Sequence, residues 1–417
     1  MIPHLRKDFN SRFQVADYQS LVRRLETRLG CEVGFRIAET PAFVPNDLMQ
    51  QMCSIGAELT YSLIGNQKYM EASAEAIPLA YRFPGCGKHP HFMTADFGLV
   101  RDADGHLSPQ IVELQAFPSV FGYQTVLCSE YHDVYHLDPS LDFLLGGRDE
   151  EAFWKLMERV ILNGHDPENV VLTEVDPWHQ KTLADFLVTA DRLKIQIADI
   201  AQLVLVGKKL HYRRADGVLV PIHRIYNRAI VDELIAKKIQ LPFDCTQPLD
   251  VEWAGHPNWY FHVSKFSLPY LQHPAVPPAV FLRDWLAGRH RERLNAGEVM
   301  TPNGPRYEQL LLKPLFSFAG KGIHFSPSLA ELEAIPEEAR GEYLLQQRVA
   351  FEPVIDTPFG MTQSEIRILY VWPDGGDLEA VLSLVRLGRG KMMGVDHNRD
   401  MEWVGSSAAF IPRECRR

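Results

Sequence analysis

The chain has little cysteine and no long apolar run. Its 417 residues include 6 cysteines, and none of them lies in a C-x-x-C pair, which argues against a zinc knuckle. Their scatter predicts reduced, mostly buried thiols. No stretch approaches the roughly 18 apolar residues of a membrane span, so none is expected. The opening MIPHLRKDFN lacks the apolar core of a signal peptide, and we expect a cytoplasmic protein.

Positive charge and the common catalytic motifs are also scarce. Lys and Arg total 43 against 53 Asp and Glu, a net charge of −10. A nucleic-acid surface needs a basic excess, so no nucleic-acid partner is expected. The negative net charge does not exclude a local basic pocket that binds a nucleotide. The sequence has no G-x-S-x-G and no G-x-x-x-x-G-K-[ST], which disfavours nucleophilic hydrolases and a P-loop.

Three regions follow from the patterns that are present, since this length predicts two or three lobes. Residues 1–148 begin with helical periodicity, including DYQSLVRRLETRLG, which should end at Gly30, and continue into a hairpin. Residues 149–256 alternate strands and helices, which predicts a parallel sheet with crossovers. Residues 257–417 place strands between Gly-rich turns, as in an antiparallel sheet of a mixed α+β domain.

The segment ADFGLVRDADGHLSPQIVELQAFPS carries two acids in a predicted hairpin. With the Asp-Gly pair at 104–105 as a two-residue loop, Asp96 lies opposite Glu113, and Gln115 shares their face. The other face is apolar, which supports this register. Its members are Ala95, Phe97, Leu99, Val112, Leu114 and Ala116.

Opposed carboxylates repel each other, so something must offset that repulsion. One interpretation is hydration of both acids at a sheet edge. The other is a divalent cation, because the oxygens of Asp96, Glu113 and Gln115 suit Mg²⁺. Under either interpretation, neutralising Asp96 or Glu113 should leave folding intact or improve it.

A lysine and a glycine-rich turn follow one another in LLLKPLFSFAGKGIHF. Lys313 ends an apolar strand, and Gly320 and Gly322 flank Lys321 in the turn. Such a hairpin can fold over phosphates through its backbone N–H groups, with Lys313 and Lys321 supplying charge. Taken alone, a surface hairpin with a solvated Lys321 is the simpler interpretation.

Two further cations have two interpretations each. Arg367 shares a strand face with Glu365 in EIRILYVW and forms either an exposed ion pair or a bidentate contact with a phosphate. Lys265 lies in the aromatic stretch NWYFHVSKFSLPYL, where most lysines bury only their stems.

The remaining candidates concern the substrate. Arg224 and Arg228 follow a predicted strand in PIHRIYNR. They either bind the carboxylate of a substrate or lie on a loop without a functional role. Ser119 follows Pro118 and is predicted as a helix N-cap.

The order of these segments resembles the circularly permuted ATP-grasp ligases, in particular the glutathionylspermidine synthase-like family. The acidic hairpin resembles that family's metal-binding strand pair. HPNWYFHVSKFSLPYL resembles the segment that ends with a lysine near ATP, and LLLKPLFSFAGKGIHF resembles the strand lysine and Gly-rich lid. The similarity spans residues 80–400.

The resemblance implies an α+β or α/β fold, ATP-grasp-like and circularly permuted, with a Rossmann-like substrate lobe at 149–256. It implies one or two Mg²⁺ ions on Asp96, Glu113 and Gln115. The other roles that it implies are phosphate contacts by Lys265, Lys313 and Arg367, a lid with Gly320, Lys321 and Gly322, an adenine edge near Gln347, and substrate contacts by Ser119, Arg224 and Arg228.

Three positions differ from the family. Gln115 replaces its asparagine, Phe117-Pro118-Ser119 replaces Asp-Thr-Pro, and Thr94 replaces an arginine on the substrate side. The implied function is an ATP- and Mg²⁺-dependent ligase that joins a small carboxylate to a small amine through an acyl phosphate. The alternatives are an ATP-binding protein without turnover, a small-molecule kinase, or a structural scaffold.

Overall fold

The computed structural model describes residues 1–102, 104–302, 304–317, 320–394, 398 and 400–413. Numbered along the chain, the α-helices are α1 Pro3–Arg12, α2 Val15–Leu29, α3 Asn46–Ile64, α4 Gln67–Glu75, α5 Phe121–Val134, α6 Glu150–Ile161, α7 Leu183–Leu193, α8 Val231–Ala236, α9 Trp259–His262, α10 Leu282–Leu286 and α11 Leu329–Glu333. A 3₁₀ helix covers Lys265–Tyr270.

The strands follow the same numbering. They are β1 Ala42–Phe43, β2 Phe92–Arg101, β3 Leu107–Gln115, β4 Leu141–Asp142, β5 Val170–Glu174, β6 Gln196–Asp199, β7 Val204–Val206, β8 Lys209–Arg213, β9 Leu219–Pro221, β10 Arg224–Asn227, β11 Glu252–Ala254, β12 Ala279–Phe281, β13 Glu298–Thr301, β14 Gly304–Tyr307, β15 Leu310–Pro314, β16 His324–Phe325, β17 Tyr343–Gln347, β18 Pro353–Thr357, β19 Gly360–Val371, β20 Glu379–Gly388, β21 Gly405–Ser407 and β22 Ala409–Pro412.

The largest sheet joins distant parts of the chain. Its order is β21-β20-β19-β2-β3, with β18 on β19, and all of its pairs are antiparallel. The β2–β3 hairpin therefore pairs with strands that come more than 200 residues later by sequence number. One face of this sheet is apolar and packs on α3 in a shared core.

The predicted hairpin register is confirmed where the acids lie, but the predicted turn is wrong. Asp96 pairs with Glu113, whereas the connecting loop spans 102–106 rather than two residues. The Asp102 side chain accepts backbone hydrogen bonds inside this loop, which stabilises the longer turn. A β-bulge after Asp96 compensates for the change in length and turns Ile111, rather than Val112, into the core.

The parallel sheet predicted within 149–256 is present. Its order is β11-β10-β5-β6, and all three pairs are parallel. Helices α6 and α7 contribute apolar residues to the core beside it. The antiparallel sheet predicted for the third region is present in part, in the order β12-β17-β15-β16. The predicted strands EIRILYVW (in β19) and AVLSLVRLG (in β20) belong instead to the sheet of β2 and β3.

Helix ends test two local predictions. Gly30 does end α2, in the left-handed conformation (φ 71°) that suits glycine. Ser119 is not the N-cap of α5, so that prediction is wrong. Asp185 of α7 instead accepts hydrogen bonds from the backbone N–H groups of Gly122 (2.8 Å) and Tyr123 (3.1 Å). A carboxylate from another helix therefore satisfies this helix N-terminus.

Two further observations concern the predicted membrane and thiol properties. Within the described residues, no helix combines the length and apolarity needed to cross a bilayer. Cys31, Cys53, Cys86, Cys128 and Cys245 are free thiols, and Cys128 and Cys245 are buried. Cys415 lies outside the described residues.

Candidate functional site

Cross-strand register places an arginine directly against each of two buried acids. Arg367 of β19 pairs with Asp96 of β2, and Arg386 of β20 pairs with Glu365 of β19. Arg367 holds Asp96 in a bidentate contact, Nε to Oδ1 at 2.5 Å and Nη2 to Oδ2 at 2.6 Å. Arg386 bonds Glu365 and also reaches Asp96 Oδ2 at 3.2 Å. Guanidinium groups therefore neutralise these acids in the structure.

Asp96 stays ionised despite being only 3% exposed. Burial raises the pKa of Asp96, but the guanidinium groups of Arg367 and Arg386 outweigh it and lower the pKa below its ordinary value. Burial raises the pKa of Glu365, although Arg386 opposes that change. Removing Asp96 would thus leave two half-buried cations, Arg367 and Arg386, short of a counter-charge. The expectation that its neutralisation leaves folding intact or improved is therefore corrected.

Glu113 meets a lysine that arrives from the third region. Lys265 begins the 3₁₀ helix, is buried, and its Nζ lies 2.9 Å from Glu113 Oε1. Gln115 donates to the same oxygen from Nε2, also at 2.9 Å. Lys265 additionally donates to the carbonyl of Ser317, just after β15. The hairpin and the third region are therefore joined at Glu113.

Lys313 approaches the same place from β15. It is 3% exposed, and its Nζ donates to the carbonyl of Val112, the residue before Glu113, at 3.4 Å. Burial lowers the pKa of Lys313 to about 8, and the nearby Glu113 only partly opposes this. A buried ammonium with a weak neutral acceptor and a lowered pKa is a group that an anion would stabilise.

We call these seven side chains the Asp96 cluster: Asp96, Glu113, Glu365, Lys265, Lys313, Arg367 and Arg386. The cluster holds four cations and three carboxylates, so it carries one surplus positive charge. The next carboxylate outward, Asp232, interacts electrostatically with Lys265 and accepts a hydrogen bond from Tyr260 at 2.6 Å, while burial raises its pKa. Buried charge without a counter-ion is costly, which makes the cluster suited to an anionic ligand.

The predicted metal ligands fit Mg²⁺ in donor type. Carboxylate and amide oxygens are hard ligands, and the contact between Gln115 and Glu113 shows that these two side chains lie together. Both oxygens of Asp96, however, are bonded to guanidinium groups. Glu113 Oε1 likewise accepts from Lys265 and from Gln115 Nε2, so a bound cation would have to displace these contacts, as it would have to displace an arginine at Asp96.

The glycine-rich turn adopts conformations that need glycine. Gly320 and Gly322 have φ of 72° and 78°. Lys321 between them is exposed, and within the described residues no hydrogen bond or ion pair ties it to the Asp96 cluster. Phe318 and Ala319, which belong to the predicted lid, lie outside the described residues.

The predicted adenine edge contains a glutamine that sequence reasoning missed. Gln347 is occupied, since its Oε1 accepts from the Asn295 backbone (2.9 Å) and its Nε2 donates to the Gln309 carbonyl (3.2 Å). Its neighbour Gln346 is 1% exposed, and neither polar atom of its amide has a partner within the described residues.

Strand alternation places Gln346 with Lys313. Lys313 is directly opposite Leu344, so those two share a sheet face, and Gln346 lies two residues further on that face. The same alternation could have indicated Gln346 from the sequence. A buried, unpartnered amide beside Lys313 is suited to a polar ligand.

The three predicted substrate residues have different surroundings. Ser119 joins the cluster, because its Oγ accepts from Arg367 Nη1 at 3.3 Å. Arg228 is buried in an ion pair with Asp185 (Nη1 to Oδ2, 3.0 Å) and also donates to the Ser119 carbonyl. Arg224 lies at the other end of β10, roughly 13 Å along the strand from Arg228. There it contacts Glu252 (2.6 Å) and the carbonyls of α6.

Sequence reasoning also missed an acid at the carboxyl end of the parallel sheet. Glu174 ends β5, is 6% exposed, and burial raises its pKa to about 8. Its Oε1 accepts a hydrogen bond from the backbone of Val175 at 2.8 Å. Nothing in the local sequence VVLTEV marks this acid, because its environment comes from neighbouring strands.

The solved structures include a protein that is similar to this chain in fold. A glutathione synthetase-like effector from Globodera pallida, in its apo form, aligns over 97% of this chain and 98% of its own with a TM-score of 0.54 and 12% sequence identity. This chain is similar to it in fold. A gamma-glutamylcysteine synthetase candidate from Methylobacillus flagellatus aligns over 87% of both chains at 13% identity, but its TM-score of 0.37 carries no argument. No protein-family model and no curated protein matches the chain.

Proposed function

We propose that this protein is an ATP- and Mg²⁺-dependent carboxylate–amine ligase of the circularly permuted ATP-grasp type, related to the glutathionylspermidine synthase-like family. The observation that carries this proposal is the surplus positive charge of the Asp96 cluster. It lies where the central sheet meets the β12-β17-β15-β16 sheet, and Lys313 is its least neutralised cation. A triphosphate supplies the missing negative charge. The similarity in fold to a glutathione synthetase-like protein is compatible with it.

Different residues would contact different parts of the nucleotide. Lys265 and Lys313 would bind phosphate oxygens, and Gln346 would meet the adenine from the face that carries Lys313. Arg367 would contact the transferred phosphoryl group, with Lys321 approaching as the turn closes. Glu113 and Gln115 would hold Mg²⁺, joined by Asp96 if Arg367 turns to phosphate. Mg²⁺ supplies Lewis-acid neutralisation of the phosphate charge.

Chain order supports the circular permutation. The hairpin β2–β3 precedes the parallel sheet, yet its strand β2 pairs with β19, which follows the strand that carries Lys313 and pairs in turn with β20. We propose boundaries at 148 and 256, with the parallel sheet of 149–256 as a Rossmann-like substrate lobe.

The substrates would enter at the carboxyl ends of the parallel strands, where open α/β sheets bind ligands. Ser119, bonded to Arg367, and Glu174, at the end of β5, are two of the polar side chains near that edge. Arg228 supports Ser119 through its carbonyl rather than facing a substrate. This end is adjacent to the Asp96 cluster, as transfer of a phosphoryl group to a carboxylate requires.

A coupled assay tests the proposal. The purified protein is given Mg²⁺ and ATP with mixtures of small carboxylates and amines, and ADP release is recorded. A ligase releases ADP fastest when both substrates are present, and mass spectrometry shows the amide product. ADP release with one substrate and a stable phosphorylated product indicates a kinase.

The alternative without turnover has one observation in its favour, because both oxygens of Asp96 are bonded to arginines. It predicts ATP binding without ADP release in every mixture. A scaffold predicts no shift of the unfolding temperature by Mg²⁺ and ATP.

A further inference from the structure

A second cavity lies away from the Asp96 cluster. It has a volume of about 460 Å³ and opens along the edge strand β11, between the segment 83–91 and Asp374. Arg224 and Glu252, which line it, begin β10 and β11, whereas the Asp96 cluster is near the opposite end of β10. The cavity and the Asp96 cluster therefore lie towards opposite ends of β10. Its volume suits a small molecule.

Aromatic rings form one wall of this cavity. Phe83, Trp253 and Trp259 line it. Trp253 makes edge contacts with Phe83 (ring centroids 5.4 Å apart) and His256 (6.0 Å apart), so its indole is held in place. Electron-rich ring faces in a fixed position attract organic cations and pack against apolar groups.

Carboxylates outnumber cations among the lining residues. The side chains of Glu252 and Asp374 are 50% and 55% exposed, so both stay open to a ligand. The guanidinium of Arg224 is 2% exposed and donates to Glu252 and to the carbonyls of Val160 and Ile161. Arg224 Nη1 lies 2.6 Å from Glu252 Oε2 and Nη2 lies 3.8 Å from Asp374 Oδ2, so a single guanidinium is shared between the two carboxylates.

Two of the lining histidines are neutral at pH 7. Burial lowers the pKa of His91, and burial lowers the pKa of His256 to about 4. His91 Nδ1 accepts from the Gly255 backbone (3.4 Å), so its Nε2 donates to Asp374 (3.2 Å). His89 stacks on Trp372, and among the Asp, Glu, Lys and Arg side chains of the lining two carboxylates stand against one arginine, an excess of one carboxylate.

We propose that this cavity binds a small organic monocation with an aromatic or aliphatic body. The cationic group lies beside Asp374 and Glu252, and the body packs on Trp253. Binding does not require ATP, because the cavity shares no residue with the Asp96 cluster. The inference is thus independent of the proposed ligase activity.

Isothermal titration calorimetry with phenethylamine, a cation at neutral pH, tests this inference. The wild-type chain should bind one equivalent, and 3-phenylpropanoate, an anion of similar size, should bind at least tenfold more weakly. Asp374→Asn keeps an acceptor for His91 and removes the charge, so affinity should fall about fivefold. Trp253→Leu should lower it by a similar factor. Glu292→Gln, at a side chain 76% exposed in the third region, is the matched control and should change nothing.

Each possible outcome of these titrations either supports or overturns the proposed cation site. Selective binding of the amine that weakens in Asp374→Asn, but not in Glu292→Gln, supports the site. Three results overturn it: absence of amine binding to the wild-type chain, equal affinity for the anion, or unchanged affinity in Asp374→Asn. A circular dichroism spectrum checks that the variants are folded. The titrations are repeated with saturating ATP, and a loss of amine binding there overturns the independence of the two sites.

Discussion

The Asp96 cluster and the Asp185–Arg228 pair bury charge in different ways. Asp185 and Arg228 form one ion pair, and the remaining oxygen of Asp185 accepts two N–H groups from the start of α5. The Asp185–Arg228 pair therefore has equal positive and negative charge and is enclosed by the protein. The Asp96 cluster has one more cation than carboxylate, and its Lys313 finds only a carbonyl at 3.4 Å.

The difference separates a structural role from a binding role. A balanced buried pair needs no ligand, whereas a surplus buried cation is stabilised when an anion arrives. The two groups are also connected, because Arg228 donates to the Ser119 carbonyl and Ser119 Oγ accepts from Arg367. The Asp185–Arg228 pair therefore helps to position Ser119 beside Arg367 of the Asp96 cluster.

The largest expected effect is on stability, at the closed pair. Arg228→Met leaves Asp185 charged, buried and unpaired, so the free energy of unfolding should fall by about 4 kcal/mol in urea denaturation. The double variant Arg228→Met, Asp185→Leu should recover most of that loss. Arg214→Met, at an exposed ion pair, is the control and should change stability by less than about 1 kcal/mol. An unaffected single variant would show that the pair is not structural.

Asp96→Asn should destabilise the fold by about 3 kcal/mol, because Arg367 and Arg386 lose a shared counter-charge. Urea denaturation measures this directly. Asp102→Asn, an exposed aspartate just after the same strand, is the matched control. A variant as stable as the wild type would favour the earlier expectation that repulsion between Asp96 and Glu113 dominates.

Lys313→Met should weaken ATP binding about 100-fold, measured by calorimetry with Mg²⁺ present, because it removes the surplus charge. Lys155→Met, at a lysine 70% exposed on α6, should bind ATP like the wild type. Equal affinity in both variants would remove Lys313 from the site.

Glu174 gives a pH-dependent prediction. Its pKa in the folded chain is about 8, above the ordinary 4.5, so the folded state holds this proton more tightly and loses stability as pH rises through that window. The stability of Glu174→Gln relative to the wild type should therefore increase between pH 4 and pH 8, and the two proteins should be nearly equal near pH 4. A constant difference across this range would contradict the raised pKa.

The smallest expected effect concerns the pH dependence of ATP affinity. Because the pKa of Lys313 is lowered to about 8, the free protein loses this charge above that pH. ATP affinity should then fall about tenfold between pH 8 and 9, and less in Lys313→Arg, whose guanidinium stays charged. Parallel profiles in both proteins would exclude Lys313 as the cause.

Local pattern was sufficient for part of the fold. Alternation of apolar and polar residues fixed the pairing of Asp96 with Glu113, since a slip of one residue would bury the acids among apolar side chains. The loop length was wrong because the Asp102 side chain supports a longer turn, and a bulge restored the register. Gly30 was predictable because only its own backbone conformation matters.

The partners of the acids were not predictable in the same way. Arg367 is 271 residues from Asp96, and the register of β19 against β2 decides that they meet. The N-cap of α5 was missed for the same reason, because Asp185 arrives from α7. Sequence reasoning thus found the charged residues but not which charges neutralise one another.

The most direct measurement is a crystal structure with Mg²⁺ and a non-hydrolysable ATP analogue. We predict phosphate oxygens within hydrogen-bond distance of Nζ of both Lys265 and Lys313, with Lys313 no longer bonded to the Val112 carbonyl. An analogue bound elsewhere, with both lysines still in their present contacts, would contradict a nucleotide role for the Asp96 cluster.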